Sequence, residues 1–188
     1  MESLFESVHL KMGGFDLENE AILEAAWSYD LCYARWYRGF PLRPVTVYEV
    51  KKRHEELLKA MREGNKVYHF SLRKREDNSL VGFVRINDVF WLHRLGALEA
   101  AIGDPESHGL LQEAYWLGLR YAFEELNLHR VGVETPGYDT RSVQACEGVG
   151  MAMEVRQRCM AFFANRYWDL LHYGMLRSEW NQSEGKHG

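Results

Sequence analysis

The sequence predicts a mixed α/β (α+β) fold, a mostly antiparallel sheet flanked by helices. Three observations predict it. Residues 67–102 read as three strands with short links, a meander. Residues 98–151 then alternate strand, small-residue loop, long helix, strand and shorter helix. Residues 153–177 read as a closing hairpin.

Taken in order, Val8 to Met12 is a first strand closed by Gly13-Gly14. Asp16 is an N-cap for a helix to about Asp30, with Leu17, Ala21, Leu23, Ala25 and Trp27 as its apolar positions. Pro41 and Pro44 end helical structure after an aromatic segment. Thr46 and Glu49 form a capping box opening a helix to Gly64, with Val47, Val50, Leu57, Leu58 and Met61 on one face. The period then shortens for strands near 67–72, 80–89 and 95–102, with Asp77-Asn78 as one turn and residues 90–94 as the other link. A long helix runs from about Gly109 to Glu125, a strand from Arg130 to Thr135, and Asp139 or Thr140 caps a helix to Glu147. Asn165-Arg166 turns the last hairpin.

The 188 residues read as one domain, with 179–188 as a polar, frayed tail. At 46% hydrophobic and 27% charged, the composition is that of a soluble globular protein. No apolar run is long enough for a membrane span, and the first residues lack the basic and apolar regions of a secretory signal. Cys32, Cys146 and Cys159 form neither a disulfide framework nor a zinc pattern, so a cytoplasmic location is expected. The net charge of −4 argues against nucleic acid as partner and is compatible with a cationic substrate.

Several stretches carry a resemblance. They are Ala101-Ile102-Gly103-Asp104-Pro105-Glu106 followed by Gly109, Glu113-Ala114, the run Leu119 to Val131, and Tyr167-Trp168-Asp169 with Tyr173 to Trp180. In sequence, order and spacing they resemble the GNAT acetyltransferase superfamily, in the branch of ribosomal-protein-alanine N-acetyltransferases. The resemblance implies acetyl-coenzyme A as co-substrate, bound where strands Leu98–Ile102 and Arg130–Thr135 splay apart. The pantetheine arm would pair with the backbone of Ala100, Ala101 and Ile102 like an added strand. The pyrophosphate would lie on backbone N–H groups at the start of the long helix, at Gly109, Leu110 and Leu111, with His108 in place of the usual basic residue.

This loop departs from the family pattern, which has three alternating glycines where the chain keeps Gly109 alone. The next helix departs too. Asp139 stands where the family has Asn, Ser142 follows Arg141 near the cofactor, and Cys146 replaces a Tyr that protonates the leaving thiolate. A thiol with a pKa of about 8.5 suits that acid role, and a small buried Cys suits helix packing equally. Glu99, one residue before Ala100, is the candidate general base, unless strand alternation turns it to solvent. Asp88 and His93 are weaker base candidates, and Glu113 supports its helix through the macrodipole. Trp27, Tyr33, Trp36, Tyr37 and Phe40 form either an amine-binding wall or packing. The expected activity is acetyl transfer to a primary amine: a protein N-terminus, a polyamine or a small-molecule amine. The alternative is a GNAT-fold binding or dimerisation protein with a degenerate pyrophosphate loop. A homodimer is one expected assembly.

Overall fold

The structure is a computed structural model that describes residues 3–14, 16–30, 33–34, 43–64 and 66–184. Its centre is a seven-stranded sheet in the order β1-β2-β3-β4-β5-β7-β6. The strands are β1 (Leu10–Gly13), β2 (Tyr68–Lys74), β3 (Leu80–Phe90), β4 (Leu95–Ile102), β5 (Arg130–Pro136), β6 (Ala152–Phe163) and β7 (Arg166–Leu176). The β4–β5 pair is parallel and every other neighbouring pair is antiparallel. The helices are α1 (Glu20–Trp27), α2 (Val47–Gly64), α3 (Leu111–Arg120), α4 (Thr140–Gly148) and α5 (Arg177–Glu184).

Strand alternation splits the core. Val84, Ile86, Leu98, Ala100 and Ile102 share one cluster with Leu117, Leu119 and Ala145 of α3 and α4. Phe83 and Ala101, of opposite parity, pack instead with Trp27 and Tyr33. On the α3 face, Gly118 allows close approach. A Cβ there would lie 2.5 Å from Leu98 Cδ1, so a larger residue would push the helix off β4.

The capping box of α2 forms as expected: Thr46 Oγ1 accepts from Glu49 N–H at 3.2 Å, and Glu49 Oε2 accepts from Thr46 N–H at 2.9 Å. Its buried face differs from the apolar count. Val50 and His54 are the buried residues, because His54 Nε2 pairs with buried Glu24 of α1 at 3.0 Å. Beside this pair, buried Glu20 accepts from Ser71 Oγ at 2.6 Å and from Arg73 of β2. Polar partners thus fasten α1 to α2 and to the sheet.

Two further differences concern local periodicity. The long helix is a composite: a 3-10 segment over Pro105–Leu110, then α3, then a π-helical turn at Tyr121–Glu125. Residues 179–184, expected to fray, belong to α5. Trp180 is 2% exposed and stacks on Phe123 at 5.7 Å, and one buried indole outweighs the polar residues around it. Ala164 and Asn165, both at positive φ, make the last hairpin turn. Trp36, Tyr37, Phe40 and Cys32 lie outside the described residues.

Glu113 does more than complement a helix dipole. Its Oε1 accepts from Ser7 Oγ (2.5 Å), His9 N–H (2.7 Å) and Leu10 N–H (3.0 Å), and its Oε2 contacts His9 Nδ1 at 2.9 Å. The carboxylate therefore ties the start of β1 to α3. Burial acts to raise its pKa, but the bonds from Ser7, His9 and Leu10 outweigh burial and hold it below the ordinary value of 4.5. Such a group stabilises the fold above its unfolded pKa, and that contribution is lost as pH falls through the depressed folded value. Glu113→Gln should lower the unfolding free energy by about 1–3 kcal/mol at neutral pH. In urea titrations the gap to wild type should narrow well below pH 4.5. A gap constant with pH would count against an ionic clamp.

Candidate active site

The site begins where the sheet comes apart. β4 and β5 pair at Leu95↔Arg130, Gly96↔Val131 and Ala97↔Gly132, and no pairs follow. Beyond Ala97, β4 pairs only with β3, while β5 continues along β7 to Pro136↔Leu170. The β4 edge over 98–102 therefore faces a V with backbone groups that have no strand partner, a template for an extended ligand. The expected splay is present, between the expected strands.

Two cavities occupy the V. The larger, about 510 Å³, is lined by Ala97, Leu98 and Glu99 of β4, Glu134 and Pro136 of β5, and Asn87 and Asp88 of β3. Tyr138, Asp139, Thr140 and Arg141 close one side, and Phe163 and Leu170 of the last hairpin another. The smaller, about 30 Å³, is lined by Ala100, Ala101 and Ile102 on one side and His108 and Leu111 on another. Tyr33, Asp139, Arg141 and Ser142 complete it. Asp139 and Arg141 line both.

Carboxylates dominate the larger cavity: Asp88, Glu99, Glu134 and Asp139 against Arg141. Each is held differently. Glu99 Oε2 accepts from Arg85 Nε at 3.0 Å and from Arg85 Nη2, while Oε1 accepts from Asn87 Nδ2 at 2.7 Å. Arg85 is the direct cross-strand neighbour of Glu99. Glu134 pairs with His172 at 3.3 Å. Asp139 caps α4, accepting from Ser142 N–H at 3.2 Å and Ser142 Oγ at 2.8 Å. Asp88 sits at φ 50° in the β3 irregularity between Asn87 and Phe90, which re-aims the strand at the cavity edge.

The structure brings most of the residues expected from sequence to these two cavities. Ala100, Ala101, Ile102, His108, Leu111, Asp139 and Ser142 line the slot, and Glu99 lines the cavity beside it. Gly109 and Leu110 line neither. Their stretch is wound as a 3-10 helix in which Ser107 N–H donates to Asp104 O and Leu111 N–H to His108 O. Asp104 also accepts from Ser107 Oγ and lies 3.5 Å from Lys74, so a carboxylate stands at the segment's N-terminus. Gly109 adopts no positive φ, unlike Gly150. The loop expected to wrap a pyrophosphate with backbone N–H groups therefore spends them internally. Among the lining residues, the basic side chains that could meet an anion are those of Arg141 and His108. Burial, followed by the Arg141 charge, lowers the His108 pKa and so favours the neutral imidazole.

Cys146 does not fit the acid role. It is fully buried in the α3–α4 core and lines neither cavity. Burial, with Asp139 adding to it, pushes its thiol to about 12, and Tyr115 lies against it. It packs where a helix meets the sheet. Trp27 and Tyr33, offered as an amine wall, pack edge to face at 5.3 Å, with the Trp27 ring against Gly103. The aromatic wall of the cavity comes from Tyr138 and Phe163, 4.6 Å apart. Sequence reasoning missed Arg85, Asn87, Glu134, Tyr138, Arg141, Phe163 and Leu170. A faint signal existed for Arg85 and Asn87, two polar residues at alternate positions in an apolar strand.

The acetyltransferase (GNAT) domain family matches residues 15–152, most of the chain. The chain belongs to the GNAT acetyltransferase family. It is thereby an acyltransferase. YnaD, an uncharacterized N-acetyltransferase of Bacillus subtilis (strain 168), is 26% identical over 63% of this chain and 70% of its own. A chimera of the Vibrio cholerae spermidine N-acetyltransferase SpeG with hSSAT superposes with a TM-score of 0.73 at 20% identity, covering 93% of this chain and 99% of that one. A GNAT-family acetyltransferase from Bacillus anthracis gives 0.73 at 22% identity with the same coverage. At these identities the two structures establish the shared fold. Among the described residues, no helix is long and apolar enough to cross a membrane.

The two described thiols should differ sharply in reactivity. In a Cys32→Ser background, exposed Cys159 should react with an aromatic disulfide reagent under native conditions, and Cys146 only after unfolding. Rapid native modification of Cys146 would restore it as an accessible acid.

Proposed function

We propose that the protein transfers an acetyl group from acetyl-coenzyme A to the primary amine of a cationic acceptor. The observation that carries this reading is the V between β4 and β5 opening onto a cavity walled by Asp88, Glu99, Glu134 and Asp139. The residues present fit such a donor: an unpaired β4 edge for an amide-bearing arm, and Arg141 and His108 for phosphates. Bound acetyl-coenzyme A would supply the thioester. Glu99, directly or through one water, takes the proton from the acceptor's ammonium, and the free amine forms the new N–C bond as the C–S bond breaks. Along β4 the N–H groups alternate between its edges, and with Gly103 N–H donating to Val81 O on the β3 side, the Ile102 N–H on the open edge would be the donor to the developing oxyanion. With Cys146 buried, the leaving thiolate takes its proton from solvent.

The excess of carboxylates favours an acceptor with positive charge beyond the reacting amine, which Tyr138 and Phe163 would contact through their ring faces. Spermidine, named for the Vibrio cholerae neighbour, is an acceptor of this kind. A protein N-terminus flanked by basic residues is another. A second reading, a GNAT-fold binding or dimerisation protein without turnover, draws support from the 3-10 winding at Gly109 and from exposed Met153, Val155, Met160 and Phe162 along the outer strand β6.

The assay is thiol release from acetyl-coenzyme A with 1,4-diaminobutane and with butylamine. The diamine should be preferred by about tenfold or more in kcat/KM, roughly the 1.4 kcal/mol of one added ionic contact. Equal rates would remove the charge argument. No heat in calorimetry with millimolar acetyl-coenzyme A would overturn the transferase reading in favour of the second.

Arg141→Gln should weaken acetyl-coenzyme A but leave S-acetylpantetheine, which lacks the pyrophosphate, bound as in wild type. Equal weakening of both would move the phosphate contact elsewhere.

A further inference from the structure

Glu99 is held on every side that does not face the cavity. Arg85 takes Oε2 through two nitrogens and Asn87 takes Oε1, both from the neighbouring strand. Register enforces this, because Arg85 lies directly across from Glu99 and Asn87 across from Ala97, on the same sheet face. Both guanidinium nitrogens converge on Oε2 while Asn87 holds Oε1, so the two side chains together orient the carboxylate.

What stands behind Arg85 is equally specific. Its guanidinium lies 5.5 Å from the Phe83 ring centroid. Phe83 stacks at 5.2 Å on His69 of β2, a side chain 6% exposed. Burial, then the charges of Arg85 and His54, lowers the His69 pKa to about 3. His69 is thus a neutral backing that neither repels Arg85 nor offers it a rival anion. Among the described residues, the acid that Arg85 pairs with is Glu99. Across the cavity, Glu99 shares its surroundings with Asp88, Glu134, Asp139 and Arg141.

We infer that Arg85, with Asn87, is the positioning residue for Glu99, holding the carboxylate with its free lone pairs toward the acceptor amine. The pair gives the fold little net stability, since a half-exposed ion pair gains about as much from the protein as it loses from water. Its effect lies in geometry: it fixes where the Glu99 oxygens point. This inference rests on the proposed transferase reading, with Glu99 as proton acceptor.

The test is kinetic. With 1,4-diaminobutane as acceptor, Arg85→Gln should lower kcat by about tenfold or more while changing KM little. Arg85→Lys, which keeps the charge but not the paired nitrogens, should recover part of kcat. In a Glu99→Gln background, Arg85→Gln should add little further loss, because residues acting through one group are not additive. An Arg85→Gln variant that changes KM rather than kcat, or losses that multiply in the double variant, would overturn the inference. If Arg85→Gln does not fold, Asn87→Ala should still slow kcat more than it changes KM, and no change in either would sink the idea. A wild-type protein that never turns over would overturn the transferase reading, whereas wild-type turnover with an unaffected Arg85→Gln variant would overturn the inference alone.

Discussion

Three residue pairs join β4 to β5, and then the strands part. Everything proposed for this protein depends on that interruption. A fully paired β4 would present only side chains to its surroundings. An interrupted β4 presents an edge of peptide groups, and a sheet edge inside a protein must be hydrogen-bonded by something. The interruption also makes room. Helix α4 and its cap enter beside the diverging strands, bringing Asp139 and Arg141 to the surface of both cavities. The last hairpin supplies Phe163 and Leu170 from the far side.

Opening a sheet at its middle requires that both halves be held elsewhere. On one face, α3 sits close against β4 because Gly118 removes the Cβ that would collide with Leu98. Glu113 then fixes the first strand to the same helix through three backbone or hydroxyl donors. On the other face, α1 and α2 are joined to each other and to β2 by the Glu24–His54 and Glu20–Arg73 pairs. Buried polar pairs of this sort add little net stability but penalise any arrangement that breaks them. The same logic applies to Glu99 and Arg85 at the cavity wall.

The order of elements was legible because each carries its own periodicity: alternation in β2 to β4, the capping box at Thr46 and Glu49, and the positive-φ turn at the end of β6. The misreadings have a common cause. Residues 179–184 look like a tail until Trp180 finds Phe123, and Leu57 looks like the buried face of α2 until His54 finds Glu24. In each case a partner distant in sequence outweighed local composition. The site divides in the same way. Glu99 and the β4 backbone were readable as candidates from position alone, and they line the V. Arg85 was not, because its meaning comes from cross-strand register. Cys146 sat at a suggestive position, but burial decides whether a thiol can give up a proton, and burial is set by the packing of α3 on α4.

The sequence by itself determined the mixed α/β class, the strand and helix order, and the family pattern around 98–131 and 167–180, because these reside in short-range periodicity and local motifs. Only the tertiary structure decided after which residue pair the two strands part, which carboxylates face the opening, and that the stretch around Gly109 winds into a 3-10 segment that uses its own N–H groups. Those outcomes depend on register and on contacts between residues distant in sequence, such as Arg85 with Glu99 and Ser7 with Glu113. Such contacts are fixed by the balance of burial and hydrogen bonding over the whole sheet, and no single stretch of chain contains it.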